Sequence, residues 1–223
     1  MSLNISKGNM YDWVTHTWNI IKGECPHGCS YCYMKRRGKQ PALHFDDKEL
    51  NTDLGEGNFI FVGSSCDIFS VDIPDEWVIK TLNHCKKFNN RYLFQTKNPA
   101  ALAFDIICGT YTLPAGSVVC TTIETNRYYP EIMHNAPMPE IRVMGMVELD
   151  YPLYVTIEPI IDFDLDKLIK MIERIDPVQV NIGADSGGHK LPEPPKGKIF
   201  ELISLLEKFT KVVQKKNLKR LIK

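Results

Sequence analysis

Short apolar runs alternate with amphipathic stretches along most of the chain. Asn58–Gly63 is a compact run of β-type residues closed by small ones, and predicts a strand. Pro74 then opens an amphipathic segment through Trp77, Val78, Leu82, Cys85 and Phe88, with proline at the helix start. Arg91–Gln95 predicts the next strand and Pro99–Ile107 the next helix, and Ser117–Thr122, short and β-branched, predicts another strand. Ile141–Val147 fits a strand or a helix; Met-Gly-Met inside it and Glu148 after it favour the helix. Leu153–Ile157 predicts a strand, Leu165–Ile175 a helix with apolar Leu165, Leu168, Ile169, Ile172 and Ile175, and Val178–Ile182 a strand after Pro177. The last helix is expected over Ile199–Val213, entered through the rigid Leu191–Pro195 stretch.

With Thr15–Ile21 as the first strand, the chain holds six βα units in strict alternation. That order implies an α/β fold with a parallel sheet and helices packed outside it. Six units are too few for a closed eight-fold barrel, so an open, partial (βα)6 barrel is expected. Chemistry in such folds gathers at the C-terminal strand ends. Polar residues stand there: Ser64, Ser65 and Asp67; Gln95, Thr96 and Lys97; Thr122, Glu124 and Asn126; Glu158; Asp185 and Ser186.

A length of 223 residues predicts a single domain over 1–223, its core at about 14–195, with a C-terminal helix and basic tail over 196–223. The formal net charge is zero, so charge alone makes no case for a nucleic-acid partner. Two basic clusters, Lys35–Lys39 and the tail Lys208–Lys223, read as solvated helix ends, where cations suit the helix dipole. No segment approaches the ~18 apolar residues of a membrane span. The opening Met1–Lys7 lacks the apolar core of a signal peptide. A cytoplasmic chain without a membrane partner is expected, and its seven cysteines then read as reduced thiols or metal ligands.

Three of them stand together in Cys25-Pro-His-Gly-Cys29-Ser-Tyr-Cys32. Buried thiols would sit among apolar neighbours, whereas these are flanked by Pro, His and Gly. A structural zinc site needs four ligands, and His27 or His16 would have to supply the fourth, since no second Cys-x-x-Cys pair follows. A 4Fe–4S cluster held by three thiolates leaves one iron open, which is chemically useful. The protein is then an enzyme if that cluster is catalytic, or a zinc- or cluster-binding module if the metal is structural.

The spacing Cys25-x3-Cys29-x-Tyr31-Cys32, in the loop after the first strand, resembles the motif of the radical S-adenosylmethionine superfamily. Further blocks follow in order: Phe61–Phe69 with Gly63-Ser64-Ser65-Cys66-Asp67, Phe94–Pro99 with Gln95-Thr96-Lys97, Ile157–Ile160 with Glu158-Pro159, and Ile182–Ser186. With Thr17-Trp18-Asn19 before them, they resemble the phage-associated three-cysteine radical SAM proteins over roughly Thr15 to Pro195.

The resemblance implies a 4Fe–4S cluster on Cys25, Cys29 and Cys32, and S-adenosylmethionine bound to the open iron. A reductant such as flavodoxin or ferredoxin would feed one electron to cleave it, giving a 5′-deoxyadenosyl radical that takes hydrogen from an unknown substrate. Tyr31 would pack near the adenine, and Lys97 would meet the methionine carboxylate. Gly63-Ser64-Ser65 replaces the superfamily's Gly-Gly-Glu, so backbone carbonyls, Ser64, Ser65 or Asp67 would have to bind the methionine amino group. Thr122 and Glu124 are candidates for the ribose hydroxyls, and Glu158 and Asp185 for the catalytic groups, with His189 in the same Gly-rich loop as Asp185. The chain is also similar to spore photoproduct lyase, a DNA-repair enzyme of the superfamily, in its small barrel and cysteine loop. A nucleic-acid substrate would need a basic groove, for which Lys35, Arg36, Arg37 and the tail lysines are the visible source.

Overall fold

In a computed structural model describing residues 3–223, the predicted alternation becomes one eight-stranded sheet with helices on its outer face and a separate two-stranded ribbon. In chain order the elements are β1 (Asn4–Ile5), β2 (His16–Trp18), β3 (Ile21–Lys22), β4 (His44–Phe45), β5 (Phe59–Val62), α1 (Asp75–Cys85), β6 (Arg91–Thr96), α2 (Pro99–Ile107), β7 (Ser117–Thr122), α3 (Pro130–Met133), α4 (Pro139–Val147), β8 (Leu153–Ile157), α5 (Leu165–Ile175), β9 (Gln179–Ile182), α6 (Lys196–Leu206), β10 (Lys211–Gln214) and α7 (Lys219–Ile222). The sheet order is β1-β2-β5-β6-β7-β8-β9-β10, antiparallel at β1–β2 and parallel at every other pairing. Among the described residues no helix is long and apolar enough to cross a membrane.

Alternation along the strands divides the core in two. Ile60, Val62, Tyr92, Phe94, Val119, Val155 and Ile182 face the helices and form the main core with residues such as Leu82, Leu102, Val143, Ile172 and Leu202. Phe59, Phe61, Leu93, Val118 and Cys120 face the other way, against Tyr11, Val14 and Trp13 of the segment before β2. That segment also shows how far the sheet curls. One Tyr11 ring meets strands five places apart in the sheet: it lies 6.4 Å from the Phe61 ring of β5, and Lys215 Nζ, just after β10, sits 4.4 Å from it. The sheet therefore wraps around the N-terminal segment as an open barrel. Its edges, β1 and β10, do not pair.

Three expectations change. No α-helix follows the first strand: between β2 and β5 the chain forms the β3–β4 ribbon and two short 3-10 helices, so the strict βα alternation begins at β5. The first strand is His16–Trp18 instead of Thr15–Ile21, because Asn19 turns the chain away, its side-chain oxygen accepting from Ser65 N (2.9 Å) and Ser64 Oγ (3.1 Å). Ile21 then pairs with Phe45 in the β3–β4 ribbon. At the other end the helix stops at Leu206 instead of running to Val213, and Lys211–Gln214 becomes a seventh parallel strand in register with β9. Thr210, Val212 and Val213 are β-branched and favour that strand. The unit expected as a helix and tail completes the sheet.

The glycine in Met144-Gly145-Met146 lies inside α4 and has a packing reason. A Cβ at Gly145 would come 2.2 Å from the backbone nitrogen of Ala100, at the α2–α4 contact. Gly145→Ala should therefore destabilise the fold by about 1–3 kcal/mol, the usual cost of overpacking, despite the ~1 kcal/mol that alanine gains in a helix. Urea unfolding would show it, and a variant as stable as the parent would contradict the close packing.

Candidate functional site

The C-terminal ends of the parallel strands surround a cavity of about 1070 Å³. The cysteine loop forms one wall, and Cys25, Cys29 and Cys32 all border the cavity. Two docking surfaces hold this loop. On one side it lies on the connection between β7 and α4: Ser30 N donates to Ile132 O (2.9 Å), and Asn135 donates from its backbone to His27 O (3.1 Å) and from its side chain to Pro26 O (3.1 Å). Cys29 and Tyr31 pack there with Met133 and Ala136. On the other side, His27 Nε2 hydrogen-bonds Asp67 Oδ2 at 2.7 Å.

Asp67 is a hub. It also accepts from Thr96 Oγ1 (3.0 Å), the Lys97 backbone amide (2.8 Å) and the Phe69 backbone amide (3.0 Å). Burial raises its carboxyl, but the His27 bond and charge and these amides outweigh it, so Asp67 lies below the usual carboxylate range. The sequence puts Asp67 forward for a ligand amino group; the structure places it at the cavity wall with both oxygens engaged by the protein. Ser64 and Ser65 border the cavity beside it, and Tyr33 Oη donates to Ser64 O (2.9 Å). Cys66, in the same turn, lies beside Cys25 and lowers that thiol below its ordinary value, against burial.

Lys97 stands at the end of β6, its Nζ 5.5 Å from the Tyr31 ring centre and 3.4 Å from Thr122 Oγ1, which also accepts from Gln95 (3.2 Å). Burial lowers the Lys97 ammonium, while Cys29 and Glu124 raise it further, so it stays charged. Glu124 does not border the cavity. It lies behind Tyr31, accepting from Tyr31 Oη and pairing with Arg142 Nη1 at 2.7 Å, with both side chains at 0% exposure. Glu124 is thus a support for Tyr31 and has no free oxygen facing a ribose.

At the far end Glu158 takes three donors: Asn9 Nδ2 (2.7 Å), Asn217 Nδ2 (2.7 Å) and Lys215 Nζ (2.6 Å). Gly183 gives it room, since a Cβ there would meet the carboxylate at 2.7 Å. Asp185 organises its own loop, accepting from Gly187 N (2.8 Å), His189 N (2.5 Å) and His189 Nδ1 (2.7 Å). Burial raises Asp185, and these bonds bring it below the carboxylate range. Sequence reasoning missed Asn9, Tyr11, Arg142, Lys215, Asn217 and Arg220. Arg220 Nη2 holds the Asp185 carbonyl at 2.9 Å, and the strand signal in Val212-Val213 was the available clue that this segment returns to the site.

Eleven expected residues thus border one cavity: the three cysteines, Tyr31, Ser64, Ser65, Asp67, Lys97, Thr122, Glu158 and Asp185. Among the described residues no three His, Cys, Asp or Glu side chains are gathered around a single ion position. Three thiols bordering one cavity are soft donors of the kind that hold an iron–sulfur cluster.

No protein-family model matches the chain, and no curated protein does. Among solved structures the fold is similar to that of spore photoproduct lyase. A double mutant of that enzyme, with bound AdoMet and dinucleoside spore photoproduct, aligns at a TM-score of 0.64 and 12% identity, covering 95% of this chain and 80% of that one. A tyrosine-to-phenylalanine mutant aligns at 0.65 and 11% identity, covering 96% and 80%.

Two adjacent lysines test the far end of the cavity. Lys215 is 8% exposed and paired with Glu158, whereas Lys216 is 72% exposed and lies 3.3 Å from exposed Asp12. Lys215→Met should cost about 1.5–3 kcal/mol, the scale of a lost hydrogen bond to a charged group. Lys216→Met should stay within about 0.5 kcal/mol. Equal midpoints in denaturant would contradict the structural role of Lys215.

Proposed function

We propose that this chain is a radical S-adenosylmethionine enzyme with a single-domain open barrel. One observation carries the reading: the Cys25–Cys29–Cys32 thiols border the same strand-end cavity as Lys97, Ser64, Ser65 and Thr122. The similarity of the fold to spore photoproduct lyase supports it, as does the likeness of the ordered motifs to the phage-associated three-cysteine proteins. What a 4Fe–4S cluster supplies, when bound with S-adenosylmethionine, is one-electron cleavage of a carbon–sulfur bond and hence a carbon radical that abstracts hydrogen.

The chain's own residues bind and orient. Cys25, Cys29 and Cys32 are the thiolate ligands, presented by a loop already anchored on both sides. Lys97, kept charged by its neighbours, pairs with the methionine carboxylate. Ser64 and Ser65, with the carbonyls of their turn, receive the amino group that Asp67 has no free oxygen to bind. Tyr31 offers its ring to the adenine and Thr122 its hydroxyl to the ribose. The substrate then lies toward Glu158, Ser186 and Lys215. An external one-electron donor of the flavodoxin or ferredoxin kind and a reducing, cytoplasmic setting belong to the same reading.

A nucleic-acid substrate is the second reading, and a specific observation favours it. Lys35, Arg36, Arg37 and Lys39 are exposed and border the cavity, so a neutral chain places a row of cations at the mouth of its site. Oligonucleotide binding that weakens steeply with salt would support it, and no binding at low salt would remove it.

Anaerobic reconstitution should load about four irons and four sulfides per chain. Dithionite with S-adenosylmethionine should then yield 5′-deoxyadenosine, and Cys29→Ala should abolish both loading and product. A loaded protein that never cleaves S-adenosylmethionine would overturn the assignment.

A further inference from the structure

The Glu124–Arg142 pair is difficult to explain by stability. Both side chains are fully excluded from solvent, and Arg142 keeps one buried nitrogen, Nη2, without a hydrogen-bond partner. Desolvating two charges commonly costs as much as their attraction returns, so apolar residues of similar size are often as stable or more so. An orphaned guanidinium N–H adds to that cost. What the pair does accomplish is positional. Arg142 Nη1 reaches both Glu124 Oε2 (2.7 Å) and the Thr122 carbonyl (2.9 Å), and Nε reaches the Pro137 carbonyl (2.6 Å). Glu124 accepts from Tyr31 Oη with its other oxygen. One rigid fork thereby ties the end of β7, the start of α4 and the residue between the second and third cysteines.

We infer that Glu124 and Arg142 are positioning residues that act through Tyr31, fixing its ring and the Cys29–Cys32 span for the cofactor. This rests on the radical S-adenosylmethionine reading. Lys97 is the other cation beside Tyr31, with its Nζ 5.5 Å from the ring centre. The ammonium already lies over the ring, so a Tyr31 released from Glu124 would loosen the wall facing the adenine and the charge facing the carboxylate together.

The test sets cofactor affinity against stability. Glu124→Leu with Arg142→Met removes both charges and the acceptor for Tyr31. It should unfold within a few degrees of the parent, since the relieved charges offset the Tyr31 hydroxyl and the Thr122 and Pro137 carbonyls left without partners. Yet it should bind S-adenosylmethionine about tenfold more weakly once loaded with cluster, read from the change in the electron paramagnetic resonance spectrum on titration. Tyr31→Phe, which leaves the ion pair intact, should weaken binding by a similar factor. Combining all three substitutions should be no worse than Tyr31→Phe alone, because the pair acts through that hydroxyl. Glu124→Gln, which keeps an acceptor for Tyr31, should retain most of the affinity. Parental affinity in the Leu/Met variant, or losses that multiply in the combination, would overturn the inference. If the Leu/Met variant fails to fold, Tyr31→Phe decides alone, and unchanged affinity there also overturns it. A parent protein that takes up no iron and sulfide overturns the functional reading instead.

Discussion

The Asp67 carboxylate sits where the cysteine loop, β5 and β6 meet, and a buried carboxylate must be satisfied by donors. Those donors come from His27 in the loop, Thr96 and Lys97 at the end of β6, and Phe69 in Asp67's own turn. Satisfying one anion therefore fixes three segments relative to one another. Without it, the cysteines would hang on an excursion between the short strands β3 and β4. With it, and with the carbonyls of Ile132 and His27 engaged on the other side, the loop is organised before anything binds. Pre-organisation of this kind removes an ordering cost from the binding of a cofactor.

The same economy of charge recurs at each end of the cavity. Near the cysteines, Arg142 pairs with Glu124; at the far end, Lys215 meets Glu158. Buried ions persist where they are paired, and both pairings cross between different elements. The first joins the end of β7 to α4. The second joins β8 to the segment after β10, with Asn9 bringing in the N-terminal segment. Below them Tyr11, Trp13 and Val14 fill the barrel interior against Phe59, Phe61 and Val118, so only the upper half is left open to a ligand.

The strands from β5 to β9 were legible because short β-branched and aromatic runs between turn residues have little else to become. The last strand was not, because Val212 and Val213 continue the apolar spacing of the helix before them and no glycine or proline marks the break. For the site, spacing exposed the three cysteines, and position at a strand end exposed Lys97, Ser64 and Glu158. Position could not say which donors a carboxylate already has, so the protein partners of Asp67, Glu124, Glu158 and Asp185 were not legible. Arg142 left no local trace, since its partner is on another element. Lys215 and Arg220 were hidden in a lysine-rich tail that reads as solvated until the strand before it is seen to pair.

An open barrel also settles what can reach the cavity. A closed eight-stranded barrel is filled by its own side chains. Here the edges β1 and β10 do not pair, and the gap is spanned by side chains: Asn9 to Glu158 and Ser186, and Lys216 to Asp12. A cavity of about 1070 Å³ is at the upper limit of ordinary small-ligand pockets, so a nucleoside-sized cofactor at the cysteine end leaves room beyond it. The cations at Lys35–Lys39 run along the cavity rim from the cysteine loop, where Lys35 Nζ donates to the Gly28 carbonyl (2.8 Å), to the far end, where Arg36 Nη1 donates to the Ser186 carbonyl (3.1 Å). The zero net charge of the chain is thus an average that hides a basic rim. On the proposed reading, the part of a substrate that stays outside the barrel would meet that rim.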